Sequence, residues 1–312
     1  MKPYISIVSP MYNEEKGIGD FIASVKERFS NYPGKWELII VDDGSEDKSL
    51  ERANELARGD EHIRVLSLGR HYGRGRALRE GIKQSSGTYV VTIESDSSWA
   101  VDDIFRVVAE LEKEEADLVL VSPYRKGGKV KGVPLLRLII SKLGNKILGA
   151  SFGGNFSMVT QMFRGYKAEV IKSLELASDD KEVHLEILSK ALALGYRAKE
   201  IPGVLRKRGG GVSKFKFRHT AWTHLIFSFL ERPLLFFGII GSILFLSGFV
   251  LGLYIVFLWL ARSLNPVRPL MTLFVVLLLG GTQMVAFGLI GLLIVNLRKE
   301  LLRLQAKKSP SE

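Results

Sequence analysis

The chain has 312 residues, a net charge of +11 and no cysteine. A disulfide scaffold, a thiolate metal site and a cysteine nucleophile are therefore excluded, while the length allows one large or two modest domains with a buried core. Hydrophobic residues make up 46% and charged residues 25%, an average that hides two unlike parts. From the N-terminus, apolar β-rich runs over 4–8, 37–41, 63–66, 89–93 and 118–121 alternate with helical patterns over 16–29, 48–57, 76–84 and 103–114. This alternation predicts a mostly parallel, right-handed wound α/β sheet over residues 1–210, with helices on both faces. The first residues alternate like a strand and show no long apolar segment ahead of a cleavage site, so no signal peptide is expected.

Residues 211–232 mix aromatics with basic residues and His219 and His224, and read as an amphipathic juxtamembrane segment. Two charge-free stretches follow, 233–261 and 269–297, each of 29 residues. As helices they would run roughly 43 Å, beyond the ~30 Å of a bilayer's hydrocarbon. The seven-residue link Arg262 to Arg268 is too short for a domain, so the two form a transmembrane hairpin. Residues 298–312 are a basic tail, expected to be partly helical. Lys214, Lys216, Arg218 and Arg232 precede the hairpin, and Arg298, Lys299, Arg303, Lys307 and Lys308 follow it, against two arginines in the link. This bias predicts an integral, multi-pass membrane protein with residues 1–210 on the cytoplasmic face.

Ligands of open α/β sheets bind beyond the carboxyl ends of the strands. Three such ends carry carboxylates: Ser-Pro-Met-Tyr-Asn-Glu-Glu (9–15), Asp-Asp-Gly-Ser (42–45) and Glu-Ser-Asp-Ser-Ser-Trp (94–99). Asp42 and Asp43 can accept from ribose hydroxyls. Glu94 and Asp96, two apart in an extended segment, would point the same way and could hold one Mg²⁺ or Mn²⁺ with phosphate oxygens. Singly, each loop is also explained as a turn or helix start.

In their order and spacing these motifs resemble the GT-A class of inverting nucleotide-sugar glycosyltransferases of family 2, a Rossmann-like α/β fold. The hairpin, and Arg-Lys-Arg-Gly-Gly-Gly-Val-Ser-Lys (206–214) ahead of it, resemble the two-transmembrane-helix polyprenyl-phosphate (dolichol-phosphate) sugar synthases. The resemblance implies that Pro10, Tyr12, Glu14, Val41 and Asp43 contact the donor nucleotide. It implies that Asp96, with Glu94 and more weakly Ser98, binds the metal, and that Arg208 and Lys214 act on the donor diphosphate. Glu94 stands where the family usually has aspartate, Ser98 where the synthases commonly have glutamine, and Met158 where an aspartate is usual.

From Leu118 to Ala168 there is no acidic residue but nine basic ones, an excess that calls for an anion. Within it, 133–148 has helical apolar spacing interleaved with Arg137, Ser141 and Lys142, suiting an interfacial helix. The resemblance places Arg137 and Ser141 on the phosphate of the lipid acceptor, and Arg125 joins them as a candidate. Glu186, Asp179 and Asp180 are candidates for sugar hydroxyls, although a helix surface explains them nearly as well. The Gly-rich stretch 69–76 lacks Walker spacing and reads as close packing at a helix start. An anionic leaflet accounts for the charge, and no DNA- or RNA-binding motif accompanies it, so no nucleic-acid partner is expected.

The implied reaction moves one sugar, with inversion, from a nucleotide-diphosphate sugar to a polyprenyl (dolichyl or undecaprenyl) phosphate. A processive polysaccharide synthase is the alternative enzyme, disfavoured by the absence of a Gln-x-x-Arg-Trp motif and by two spans. A non-catalytic nucleotide-sugar binder is the other, motivated by Glu94, Ser98 and Met158. A lone hairpin has little lipid-shielded interface, so a homo-oligomer is also expected.

Overall fold

In a computed structural model of the chain, the described residues are 4–133, 135–153, 156–206, 233–261 and 269–308. Arg208, Lys214 and the 211–232 segment lie outside them. The chain divides into two compact units, Met1–Thr220 and Ala221–Glu312.

The first unit is built on a seven-stranded sheet of order β3-β2-β1-β4-β7-β5-β8. Its strands are β1 (Ile5–Met11), β2 (Trp36–Asp42), β3 (Ile63–Ser67), β4 (Tyr89–Thr92), β5 (Leu118–Ser122), β7 (Arg164–Lys167) and β8 (Ala198–Pro202). A small pair joins β6 (Lys129–Val130) to β9 (Val204–Leu205). Every β1 and β2 residue is buried, the run of Ile, Leu and Val expected of strands covered on both faces. Only β7 runs antiparallel, pairing with β4 and β5.

Helices α1 (Ile18–Phe29) and α4 (Asp103–Glu112) share one core with the sheet, α1 through Phe21, Ile22, Val25 and Phe29 and α4 through Ile104, Val107 and Leu111. Helix α2 (Ser49–Ala57) adds Ala53 to that core. On the other face, α3 (Arg74–Gln84) packs Ala77 against Ile39 and Val41. The start of α3 is held by the main chain after a short helix, α6 (Ala168–Ser173): Gly75 and Arg76 N–H both donate to the Asp179 carbonyl, at 2.7 and 3.1 Å. A Cβ on Gly75 would fall 2.4 Å from the Ser178 carbonyl oxygen. Gly75→Ala is therefore expected to cost about 1–3 kcal/mol, read as a lowered thermal midpoint. An unchanged midpoint would show that the two segments separate freely.

The interfacial-type helix runs slightly later than its sequence pattern, as α5 (Leu135–Ser151). Asn145 and Leu148 are buried, whereas Ile139, Ile140, Leu143, Lys142 and Lys146 are exposed. A helix with apolar and basic residues exposed together suits a lipid surface. Helix α7 (Val183–Ala193) completes the described helices of this unit.

The second unit is a pair of helices, α8 (Pro233–Leu260) and α9 (Pro269–Lys308). Phe236–Leu260 and Pro269–Arg298 are long and apolar enough to cross a membrane. Helix α9 continues without a break into the basic tail. The helices approach closely at Gly241 and Gly281, where a Cβ on Gly241 would lie 2.8 Å from the Gly281 carbonyl. Outward-facing Leu246, Val250, Leu279 and Leu293 remain exposed, as lipid-facing residues would be.

Candidate active site

Parallel register brings the three acidic strand ends level. Val8 pairs with Thr92 of β4 and Met11 with Asp42 of β2, so Pro10, Asp43 and Glu94 emerge at one edge. There β1 lies between β2 and β4, the point at which the strand order reverses and a crevice opens.

The β1 end is braced from the 45–49 loop: Asn13 N–H donates to Ser45 Oγ at 2.9 Å and Glu14 N–H to Ser49 Oγ at 2.7 Å. Tyr12 stacks on His71, with ring centroids 4.1 Å apart. Asp42 faces inward and accepts from Ser45 N–H and Ser67 Oγ. The Asp43 carboxylate accepts from the Tyr72 and Gly73 N–H groups, and the His71 ring Nδ1 lies 2.8 Å from its Oδ2. Val41, two residues before Asp43, is wholly enclosed, packed against α3 and paired on both edges.

Strand β4 ends at Thr92, two residues before Glu94. Ser95 and Asp96 form a turn and Ser97 has φ +56°, which corrects the extended geometry expected for Glu94 and Asp96. The two carboxylates still interact. Burial first, and then the Asp96 charge, push the Glu94 carboxyl up to about 7, against the nearby Arg74 guanidinium, which draws it down. Glu94 Oε1 accepts from Met162 N–H at 3.3 Å, while Oε2 is buried with no hydrogen-bond partner among the described residues. Asp96 Oδ1 accepts from Ser98 N–H at 3.0 Å, and the Ser98 carbonyl accepts from Arg206 N–H at 2.9 Å. Arg206, which follows β9, is thus tied to the acidic turn.

Glu94 has a thermodynamic consequence. Between its ordinary value of 4.5 and about 7 the folded chain holds a proton that the unfolded chain has released. Without divalent cations, stability therefore falls as pH rises through this window, by on the order of 3 kcal/mol. Glu94→Gln should flatten that part of the thermal-midpoint profile measured in chelator from pH 5 to 8. A wild-type profile that rises in step with the variant would contradict the buried, protonated carboxyl.

Residues 6–175, more than half of the chain, match the family model described as Glycosyl transferase family 2. The chain belongs to glycosyl transferase family 2. Across the length of this glycosyltransferase, the dodecaprenyl-phosphate galacturonate synthase of Rhizobium johnstonii is 30% identical over 304 residues, 94% of this chain and 88% of the relative. The undecaprenyl-phosphate 4-deoxy-4-formamido-L-arabinose transferase of Pectobacterium atrosepticum is 30% identical over 293 residues, 92% of this chain and 86% of that one. Among solved structures, glucosyl-3-phosphoglycerate synthase from Mycobacterium tuberculosis, in complex with Mn²⁺, uridine diphosphate and glucosyl-3-phosphoglycerate, superposes with a TM-score of 0.55 at 23% identity. The match covers 73% of this chain and 79% of the other, and it establishes the shared GT-A fold.

In this family 2 glycosyltransferase the residues expected on the acceptor side gather beyond β5. Ser141 Oγ accepts from the Tyr124 hydroxyl at 2.8 Å, and the Lys142 ammonium lies 5.6 Å from the Tyr124 ring centroid. Arg125 is half exposed, 3.9 Å from Glu200. Arg137 is on α5, but its side chain lies outside the described residues. Glu200, on β8, accepts from Ser157 N–H at 3.0 Å and from Met158 N–H at 2.9 Å. A carboxylate therefore sits against the main chain at Met158, supplied from a distant strand. Asn145 ties α5 to the same segment by accepting from Val159 N–H at 2.9 Å.

The residues considered for sugar hydroxyls have other partners. Glu186 accepts from Ala177 N–H at 2.9 Å, from Ser178 N–H at 2.8 Å and from Lys190, and these bonds outweigh burial to hold its carboxyl below the ordinary range. Asp179 is paired with Arg79. Both hold the loop that caps α3, and Asp180 beside them is exposed. His71, Arg74, Tyr124 and Glu200 are the site residues that sequence reasoning missed. His71, Arg74 and Tyr124 follow the carboxyl ends of β3 and β5, a position that could have flagged them. Glu200 lies within a strand and gives no such signal.

Proposed function

We propose that this glycosyltransferase moves a single sugar, with inversion, from a nucleoside-diphosphate sugar to a polyprenyl phosphate at the cytoplasmic face of a membrane. The observation that carries this reading is the extent of the similarity: 94% of the chain, hairpin included, aligns with a polyprenyl-phosphate sugar synthase. The exposed apolar and basic residues of α5 are consistent with a lipid substrate drawn from the bilayer.

On this reading an oxygen of the lipid phosphate attacks the anomeric carbon as the bond from that carbon to the donor's diphosphate oxygen breaks. The electron pair leaves with the nucleoside diphosphate. A phosphate monoester has its second pKa at about 6 and arrives largely ionised, so no strong general base is needed. Met158 in place of an aspartate is compatible with that chemistry. The requirement is charge stabilisation on the leaving group.

Glu94 and Asp96 fit a hard divalent cation, because both offer carboxylate oxygens and Glu94 Oε2 is buried without a partner among the described residues. No group of three or more acidic or histidine side chains clusters among the described residues, so donor phosphate oxygens would complete the coordination. Bound there, Mg²⁺ or Mn²⁺ would neutralise charge on the departing diphosphate. Arg208 and Lys214, which follow Arg206 in the chain, are assigned to the same diphosphate, and Tyr12 and Asp43 to the donor base. Arg125, Arg137 and Ser141, joined by Tyr124, would hold the acceptor phosphate.

Purified full-length protein given undecaprenyl phosphate and a panel of labelled uridine- and guanosine-diphosphate sugars should place label in the organic phase. The signal should vanish with chelator and return with Mn²⁺ or Mg²⁺. Binding of nucleoside diphosphate with no transfer from any donor would favour a non-catalytic binder instead.

A further inference from the structure

The His71 imidazole is a planar nitrogen ring stacked on Tyr12 at an interplanar angle of 22°, with Nδ1 2.8 Å from Asp43 Oδ2. The ring thus covers the Tyr12 face and sets a nitrogen against the Asp43 carboxylate. A flat ring on Tyr12 with a ring nitrogen beside the Asp43 carboxylate is also the placement a uracil or guanine base would take against the same two residues. We propose that His71 is a built-in placeholder for the donor base, occupying the Tyr12 face and Asp43 Oδ2 until a nucleoside-diphosphate sugar displaces it. The proposal rests on the assignment of Tyr12 and Asp43 to the donor base.

The geometry allows the ring to leave while its loop stays. Tyr72 N–H donates to Asp43 Oδ1 at 2.9 Å and Gly73 N–H to Oδ2 at 3.0 Å, both through the main chain. Gly44, at φ +71°, lets the loop pack directly on it: a Cβ there would fall 2.3 Å from the Arg70 carbonyl carbon. The backbone at 70–73 is thus fixed on both sides. The His71 side chain is 53% exposed and the Asp43 side chain 3%. Rotation about the His71 side-chain bonds therefore carries the ring into solvent without disturbing the core.

The exchange is balanced for the buried carboxylate. Asp43 keeps the Tyr72 and Gly73 amides throughout, so its charge is not left unpartnered as the base enters. It also discriminates, because neutral uracil and guanine carry a ring N–H at their pairing edge, whereas adenine and cytosine do not. A site that must first release its own ring binds its ligand more weakly by the fraction of time it is closed.

Isothermal titration of the full-length protein in detergent with uridine diphosphate, and separately with guanosine diphosphate, tests the proposal. Removing the ring in His71→Ala should tighten binding of whichever nucleotide the wild type takes, by about three- to tenfold. His71→Phe, which can stack but cannot donate, should fall between the two. Equal or weaker binding in His71→Ala, with wild-type binding intact and Tyr12→Ala weakened, overturns the placeholder and leaves the donor site standing. Binding of neither nucleotide by any of these proteins overturns the donor-site assignment and the placeholder together.

Discussion

Asp96→Asn is expected to abolish sugar transfer, lowering kcat/KM by at least about 10²–10³-fold, the scale of removing one preorganised charge-stabilising group. The amide keeps the size of the side chain and an oxygen to accept from Ser98 N–H, so the turn at 95–98 should survive. What it loses is the negative charge for which the donor's diphosphate supplies no substitute. Its neighbour Glu94, whose carboxyl burial and the nearby acid push up, is a poor substitute for that charge. The variant should insert in membranes and melt as the wild type does. Transfer rates within twofold of wild type would remove the acidic turn from the chemistry.

Arg164→Ala should be the most destabilising single change in the first unit. The guanidinium is fully buried and donates to three main-chain carbonyls: Gln161 at 3.1 Å, His184 at 2.6 Å and Val159 at 2.5 Å. These bonds fasten the segment ahead of β7 to α7. Truncation would remove three buried hydrogen bonds and open a cavity the size of a long side chain. A loss of about 3–5 kcal/mol is expected, read as a large fall in thermal midpoint or failure to accumulate folded protein. Arg164→Lys should recover only part of it, because an ammonium lacks the planar fork that reaches three carbonyls at once. A midpoint within a few degrees of wild type for Arg164→Ala would mean that water replaces those bonds.

Much of the fold was legible because its physical causes are local. Charge-free runs of 29 residues announce α8 and α9, and segments rich in Ile, Leu and Val announce β1, β2 and β5. Strand β7 was not legible: its four residues, Arg-Gly-Tyr-Lys, include two cations, and it is a strand only because β4 and β5 flank it. The edge strand β8 reads Ala-Lys-Glu-Ile-Pro and likewise lacks an apolar run.

The site divides in the same way. The carboxylates at 42–43 and 94–96 stand out because acids at strand ends are unusual, and parallel register puts them side by side. Which group each carboxylate faces depends on chain far away in sequence. Asp43 meets His71 and the amides at 72–73, and Glu186 meets the amides at 177–178. Glu200 meets those at 157–158. The turn at 95–98 depends on a left-handed Ser97, a conformation that a serine does not announce.

The central claim is that a lipid phosphate, drawn in beside the acidic turn, displaces a nucleoside diphosphate from one sugar. Mass and NMR analysis of the lipid product made by the purified full-length protein tests it most directly. The account predicts one sugar per polyprenyl phosphate, its anomeric configuration opposite to that of the donor, with one nucleoside diphosphate released for each. A product bearing a chain of sugars, or a single sugar with the donor's configuration retained, would contradict it.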